Sequence, residues 1–533
     1  MKKIIIHLIF MAVLLASIII CSLNVYGGNK TGDISGIVFE DTNRNLQLDP
    51  GEKGISGILV SNRHEVVRTD TGGQYHLQFD EDESVVFVIK PPGFSFPLNK
   101  NNLPLFYYMH NPENSPVKDH REMQPARESP GMVNFPLYRT VEKDSFNVII
   151  LADPQPRDHE ELGYVRDDIV AELAGTGALF GITLGDIMFD DLSLYGRYNE
   201  IISKIEIPFY NVPGNHDADY DALANKHSLE TYKHWYGPDY YAFEYGKINF
   251  IVLNTVHWMD DPGIIYHRSY EGKVGEDQLQ WLKNYLQFVP SDELIVLCMH
   301  IPLYSYSSDI YQENVVDRNK LFNILQDRSY LLALAGHLHT LENNYLDETA
   351  GWTSGIPFHQ VSCAAVCGSW WRGPKDERGI PAAVQLSDGT PNGYHVFHFE
   401  GNNYSQRFKA AGKDENYQIR ISAPRGIISK NKTNDLMITI NFFNGNDKSV
   451  VVCQTDNNEP VQMRMTTMKD PYAEQLFHDY TDLYDDWIGR GPTRHMWVTA
   501  LPADLEPGVH KIVVSATDEY GINYKQSTIF EIF

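Results

Sequence analysis

Apolar runs of strand length recur through the middle of the chain, and each gives way abruptly to polar residues. The runs are VIIL before Asp153, FGITLG before Asp186, IPFYNVPG before Asn215, LIVLCM before His300 and YLLALAG before His337. Helical period lies between most of them, over Asp167 to Leu173, Leu192 to Ile205, Asp277 to Phe288 and Lys320 to Leu325. This alternation predicts a buried sheet with helices on its faces and ligand-bearing loops beyond the strand ends. Five polar clusters are thereby pointed at one crevice: Asp153 with Gln155, Asp186, Asn215 with His216 and Asp217, His300, and His337 with His339.

Either side of this region the pattern changes to short strands with turn signals. ISGIVFE, GILVSN, VVRTD, YHLQF and VVFVIK predict a small β-sandwich over residues 30–93. Residues 94–144 are Pro-rich and too long for an ordinary loop, so they are expected to drape over the central domain, 145–405. MITINFF, VVVCQT, VQMRMTT, HMWVTA and KIVVSATDEYG predict a second sandwich over 406–533.

The residue types in the five clusters suit a two-metal hydrolytic site. Two divalent ions roughly 3.5–4 Å apart neutralise phosphoryl oxygens and generate hydroxide near neutral pH, and one carboxylate must bridge them. Asp186 is the natural bridge, because Gly185 lets the backbone turn as the strand delivers the side chain. Asn215 offers a neutral oxygen, and His300, His337 and His339 offer imidazoles. Gly336 is expected to allow the turn that aims His337 and His339 at different metals.

The order DPQ, GD, GNHD, MH, GHLH resembles the calcineurin-like metallophosphoesterase superfamily over about residues 145–400. With the flanking sandwiches, the whole order resembles exported bacterial members of that superfamily. The resemblance implies an α/β core, a β-sandwich with flanking helices, and an exported phosphoesterase using two divalent metals. One metal would take Asp153, Gln155, Asp186 and His339, and the other Asp186, Asn215, His300 and His337. A metal-bridging hydroxide would attack phosphorus, with His216, oriented by Asp217, over the substrate as general acid or transition-state donor. Most of the superfamily has His where this chain has Gln155. That harder, neutral oxygen tilts the metal preference toward Mn or Fe and away from Zn.

A lone Asp after a strand is usually a cap or turn residue, and a lone His a satisfied polar group. The ordered set is what carries the reading, with GNHD and GHLH its specific parts. The competing class is a non-catalytic surface or carbohydrate-binding protein with the central domain as scaffold. His216 separates the two, since a scaffold has no reason to keep a donor beside intact ligands.

The chain has 533 residues, 21% charged and 42% hydrophobic, which is ordinary globular composition. Its formal charge of −26 repels polyanions at long range, so no nucleic-acid binding is expected, and the expected substrate is a phosphorylated small molecule or glycan. Lys2 and Lys3 precede an apolar run from Ile4 to Ile20, with small residues near Gly27. Residues 1–27 thus read as a secretory signal, placing the mature chain in the periplasm or outside the cell. Lipidation at Cys21, despite bulky Ile20, and an uncleaved anchor are the other readings. No later stretch is long enough to span a membrane, so no transmembrane domain is expected in the mature chain.

Cys298 reads as a small buried residue. Cys363 and Cys367 would be roughly 13 Å apart on a strand, beyond bridging reach, whereas in a loop they could pair. Trp370, Trp371 and Arg372 follow GHLH in a Gly-flanked loop that could stack a sugar or base and clamp a phosphate oxygen, or could simply pack. Asp41, Asn43, Asn45, Asp49 and Glu52 occupy offsets 1, 3, 5, 9 and 12 of a calcium loop. The usual glycine at the sixth offset is Leu46, so a structural calcium and a plain polar turn both remain open.

Overall fold

The computed structural model describes residues 31–80, 84–110, 131–259, 269–381, 388–424, 426–430, 436–489 and 491–533. The expected signal segment 1–27 and Cys21 lie outside the described residues.

The central domain is two mixed sheets packed face to face with helices outside. The first runs in the order Phe209–Asn211, Phe180–Thr183, Ser145–Leu151, Gly393–Glu400, Asn403–Ala410. Its first three strands are parallel and the remaining pairs antiparallel. The second runs Tyr241–Tyr245, Ile248–Val252, Leu294–Cys298, Leu331–Ala335, Phe358–Ser362, Glu342–Leu346, with its four inner strands parallel.

Strand Ser145–Leu151 shows why the apolar runs are unbroken. Val148 and Ile150 face the core between the sheets with Phe180 and Phe250, while Ile149 and Leu151 face outward into a second core. That outer core contains Leu162 of helix His159–Tyr164 and Tyr195 and Ile201 of helix Tyr195–Ile202. A strand covered on both faces has no solvent side on which to place polar residues. Helices Glu276–Leu286 and Arg318–Leu325 lie close to segments of helical period in the sequence. The segment Asp167 to Leu173 falls in π-helix Val165–Val170 and the helical turn after it, and helix Glu230–Tyr236 has no counterpart among those segments.

The N-terminal domain is also two sheets: Gln74–Asp80, Thr31–Glu40, Phe135–Arg139, Phe94–Ser95, and Val66–Arg68, Leu59–Ser61, Ser84–Ile89, Tyr107–His110. Three of these strands come from the stretch 94–144, so the domain runs to about Arg139 and does not end at 93. Strands of two to five residues are too short to show alternation in sequence. Within the described part of this stretch Phe106 packs against Tyr241 at 4.9 Å and Asn102 Nδ2 donates to Ser203 O at 3.0 Å.

At the junction Lys90 is fully buried, its Nζ donating to Glu142 Oε1 and to Glu244 O, both at 2.6 Å. Trp281 Nε1 reaches Ser61 Oγ at 3.1 Å, and N-terminal and central side chains share one apolar core.

The C-terminal sandwich pairs Ile419–Ala423, Met437–Phe442, Thr493–Ala500, Arg464–Met468 against Gly426–Ile428, Asn523–Ile532, Gly508–Thr517, Val450–Thr455, Val461–Gln462. Strand Asn403–Ala410 still belongs to the central sheet, so the boundary falls after Ala410 and not at 405. Between Arg464–Met468 and Thr493–Ala500 the chain leaves the sandwich through helix Pro471–Asp479 and a segment over Thr481 to Gly489. Among the described residues no helix is long and apolar enough to cross a membrane.

Candidate metal centre

The five clusters meet where the two sheets end together. Asp153, Asp186 and Asn215 follow strands Ser145–Leu151, Phe180–Thr183 and Phe209–Asn211 of one sheet, and His300 and His337 follow Leu294–Cys298 and Leu331–Ala335 of the other. To turn the side chains inward the backbone enters the left-handed region at Asp153, Gln155, Asp186, His337 and His339, with φ of 47°, 39°, 49°, 74° and 48°. Such non-glycine conformations persist only when neighbours hold them. Here both Asp153 oxygens accept His337 N at 3.0 Å, Asp186 O accepts Gln155 N at 3.1 Å and Asp186 Oδ1 accepts His216 N at 2.9 Å.

Gly185 turns as expected, at φ 87°, and a Cβ there would meet the His300 ring at 2.6 Å. Gly336 acts differently. It makes room for Asp153, whose Oδ2 would lie 2.7 Å from a Cβ, while His337 and His339 make the turn themselves.

Burial pulls the His300 imidazole down, but the Asp186 charge more than offsets it and raises its pKa to about 9. Its Nδ1 is 2.8 Å from Leu184 O and donates to it, which turns Nε2 into the crevice. That nitrogen faces Asn215 Oδ1 at 3.1 Å, Asp186 Oδ2 at 3.2 Å and His337 Nδ1 at 3.1 Å. Two oxygens and two imidazole nitrogens thus converge in a buried spot, a donor set that a divalent cation would take up in place of the ring protons. The ligand atoms of Asp186, His300 and His337 lie within 4.8 Å of one another.

On the other side His339 Nδ1 donates to Gly368 O at 2.9 Å, turning Nε2 toward Asp153 Oδ1 at 3.7 Å. A carbonyl partner of this kind fixes the tautomer a ligating histidine needs. Gln155 Nε2 donates to Asp186 Oδ2 at 2.8 Å, and its Oε1 lies 3.7 Å from Cys367 Sγ, a neighbour of the site that the sequence did not suggest.

Burial pushes Asp153 up to about 7, against the pull of His300 and with the Asp186 charge adding to the rise. Asp186 stays ionised, because His300 and His216 outweigh its burial. Burial pushes His337 down to about 3 and His339 down to about 4, so both are neutral imidazoles, the form that binds metal.

His216 lies beside this group, but Asp217 does not orient it. The buried Asp217 carboxylate accepts Ile187 N at 3.1 Å, Gly214 N at 2.8 Å and Tyr195 Oη at 2.7 Å, tying the Asp186 turn to the Asn215 turn. The residue that holds His216 is Asp190, with Oδ1 2.7 Å from Nδ1, helped by Phe189 stacked on the ring at 4.6 Å. Burial pulls His216 down, but Asp186 and Asp190 more than offset it, and its pKa lies above the ordinary value.

The loop after GHLH divides in role. Trp371 is core: it is 1% exposed and its Nε1 donates to Pro154 O at 2.9 Å. Trp370 is half-buried and lies flat on His339, centroids 3.9 Å apart. Arg372 is already engaged by Glu161 at 2.7 Å and Asp485 at 3.4 Å, so the expected phosphate clamp is an ion-pair link to the C-terminal domain. All four described cysteines are free thiols, and strand Phe358–Ser362 stops short of Cys363.

In the N-terminal loop, Leu46 makes the turn at φ 66° without glycine. Asp41 accepts Arg44 N at 2.6 Å and Leu46 N at 2.9 Å. Asp49 Oδ2 accepts Asn43 Nδ2 at 2.7 Å and Asn45 Nδ2 at 2.8 Å, and Glu52 accepts Thr42 N at 2.8 Å and Asp49 N at 3.1 Å. The three carboxylates are thus satisfied within the loop, as a polar turn requires.

Family models for the N terminal of calcineurin-like phosphoesterase, the calcineurin-like phosphoesterase itself and its C terminal match residues 42–124, 146–341 and 361–524. The chain is 27% identical over 173 residues to "Probable glycerophosphodiester phosphodiesterase GpdQ" of Arcobacter nitrofigilis, covering 32% of this chain and 59% of the relative. It is 25% identical over 148 residues to a 3',5'-cyclic-nucleotide phosphodiesterase of Nostoc sp., covering 27% and 49%. The chain therefore spans about half to three fifths of the length of these relatives. Among solved structures, a dimetal phosphatase from Danio rerio aligns at 14% identity and a TM-score of 0.34, covering 50% of this chain and 96% of that one. A purple acid phosphatase from yellow lupin aligns at 10% identity and a TM-score of 0.30, covering 90% and 70%.

Proposed function

Because the chain belongs to the calcineurin-like phosphoesterases, we propose that it is an exported, metal-dependent phosphoric ester hydrolase centred on the strand ends described above. The observation that carries this reading is the convergence of Asn215 Oδ1, Asp186 Oδ2 and His337 Nδ1 on His300 Nε2. Asp153, Gln155, Asp186 and His339 would hold one divalent ion, and Asp186, Asn215, His300 and His337 the other. When bound, the two ions neutralise the phosphoryl oxygens and supply hydroxide near neutral pH. The neutral Gln155 amide in place of imidazole favours Mn or Fe over Zn.

The chain's own groups do the rest. Asp217 fixes the two turns that carry Asp186 and Asn215, so the ligand atoms are in place before substrate arrives. Asp190 occupies His216 Nδ1, leaving Nε2 as the ring nitrogen that meets the leaving oxygen and gives it a proton. The proposed substrate is a phosphorylated small molecule or glycan, and the names of the two curated relatives favour a diester. Residues 1–27, read as a secretory signal, place the enzyme outside the cytoplasm. The N-terminal loop is read as a polar turn, its carboxylates being satisfied by the loop's own donors.

A hydrolysis screen of the mature chain on mono- and diesters tests the proposal. Activity should vanish on chelation and return with Mn. No hydrolysis with any added divalent ion would sink it.

A further inference from the structure

A shallow, open cleft beside the metal centre is bordered on one side by the C-terminal domain. Arg157 and Phe189 of the central domain line it together with Tyr484, Asp485, Asp486 and Trp487 of the segment that leaves the C-terminal sandwich. Both ends of this lining touch the site. Phe189 stacks on His216, and Trp487 meets Trp370 edge-on at 4.5 Å while Trp370 covers His339.

The segment is fixed in place. Asp485 Oδ2 accepts two bonds from Arg157, each 3.1 Å, and pairs with Arg372 at 3.4 Å. Gly373 N donates to Leu483 O at 3.1 Å, and a Cβ on Gly373 would strike the Tyr484 hydroxyl at 2.6 Å. The Arg157 guanidinium in turn lies 4.2 Å over the Phe189 ring. Yet Trp487 itself is left 55% exposed at the end of this arrangement. The fixed segment thus holds an open indole face beside the reaction centre, in contact with Trp370.

We propose that the C-terminal domain completes the substrate site, Trp487 forming the wall against which the ring face of the leaving alcohol packs. The substrate class is then a phosphate ester whose leaving group carries a flat or apolar ring face, and the phosphoryl group sits at the strand ends. An indole wall accepts such a face with little loss of side-chain entropy, while Arg157 in the same lining is taken up by Asp485 and the exposed Asp486 beside Trp487 repels a second phosphate.

The inference rests on the hydrolase reading for its rates, so the test also has a binding arm that needs no turnover. Benzyl and ethyl esters of the same phosphate have similar leaving groups and differ in the ring, and benzyl- and ethylphosphonate provide the matching non-hydrolysable pair. The full chain loaded with Mn should prefer the benzyl member in KM and, by calorimetry, in Kd. Trp487→Ala should reduce that preference about tenfold, the scale of one aromatic contact, and Trp487→Phe should restore most of it. If the wild type binds the phosphonates with this preference but cleaves neither ester, the subsite stands and the hydrolase reading fails. If the preference is absent in the wild type, or unchanged in Trp487→Ala, the subsite is overturned even where both esters are cleaved.

Discussion

Asp190 Oδ1 lies 2.7 Å from His216 Nδ1, while the neighbouring Asp217 carboxylate turns away into backbone amides. His216→Ala should therefore leave metal content near normal and lower kcat by about 10²-fold or more, the usual size of a general acid's contribution. The loss should be greatest for alkyl esters and least for nitrophenyl esters, whose leaving groups need no proton. Asp190→Asn should show the same dependence on leaving group at smaller amplitude. Equal losses on both ester types would mean that His216 binds the phosphoryl group instead.

Asp186→Asn and His337→Ala each remove an atom from the convergence around His300. Both variants should lose activity and bound metal together, measured by hydrolysis and by mass spectrometry of metal content. Full occupancy with full activity in either would remove the assignment.

The two adjacent tryptophans should separate cleanly. Trp371→Ala empties a fully buried site and should cost about 3–5 kcal/mol, with a fall in Tm and the same effect on every substrate. Trp370→Ala removes the cover over His339 and should cost less stability while altering KM unequally among esters. A larger Tm loss at Trp370 than at Trp371 would contradict the burial seen here.

Lys90→Met tests the junction between the N-terminal and central domains. It leaves Glu142, only 11% exposed in its side chain, without its ion-pair partner, and breaking a buried pair on one side costs about 3–5 kcal/mol. Urea unfolding should show a lower midpoint for the whole chain. An unchanged midpoint would mean that the pair contributes nothing net.

The meeting of the five clusters was legible because each follows a strand whose apolar run is visible, and neighbouring parallel strands bring their ends together. Asp190 was not, since one acid in the FDD run looks like any surface turn. Asp217 comes to His216 only through the family resemblance, and residues next to each other in this tight turn point apart. Arg372 was offered to phosphate because its partners, Glu161 and Asp485, are remote in sequence. Trp487 carries no local signal, being placed at the cleft only by the packing of the C-terminal domain. The domain boundaries slipped because the strands Phe94–Ser95 and Tyr107–His110 are too short to display a period.

The left-handed backbone at Asp153, Gln155, Asp186, His337 and His339 has a consequence for how this protein could be altered. Each such position carries about 1–3 kcal/mol that a glycine would release. Glycine at Asp153 or Asp186 would also remove the acceptors that hold the His337 and His216 amides and so cost stability, whereas at Gln155, His337 or His339 it mainly relaxes the chain, and loss of function there should come at little thermal cost. Selection for thermal robustness alone would therefore erode this centre before it touched the sandwich cores, and a thermostable variant recovered without an activity screen should be sequenced first at Gln155, His337 and His339.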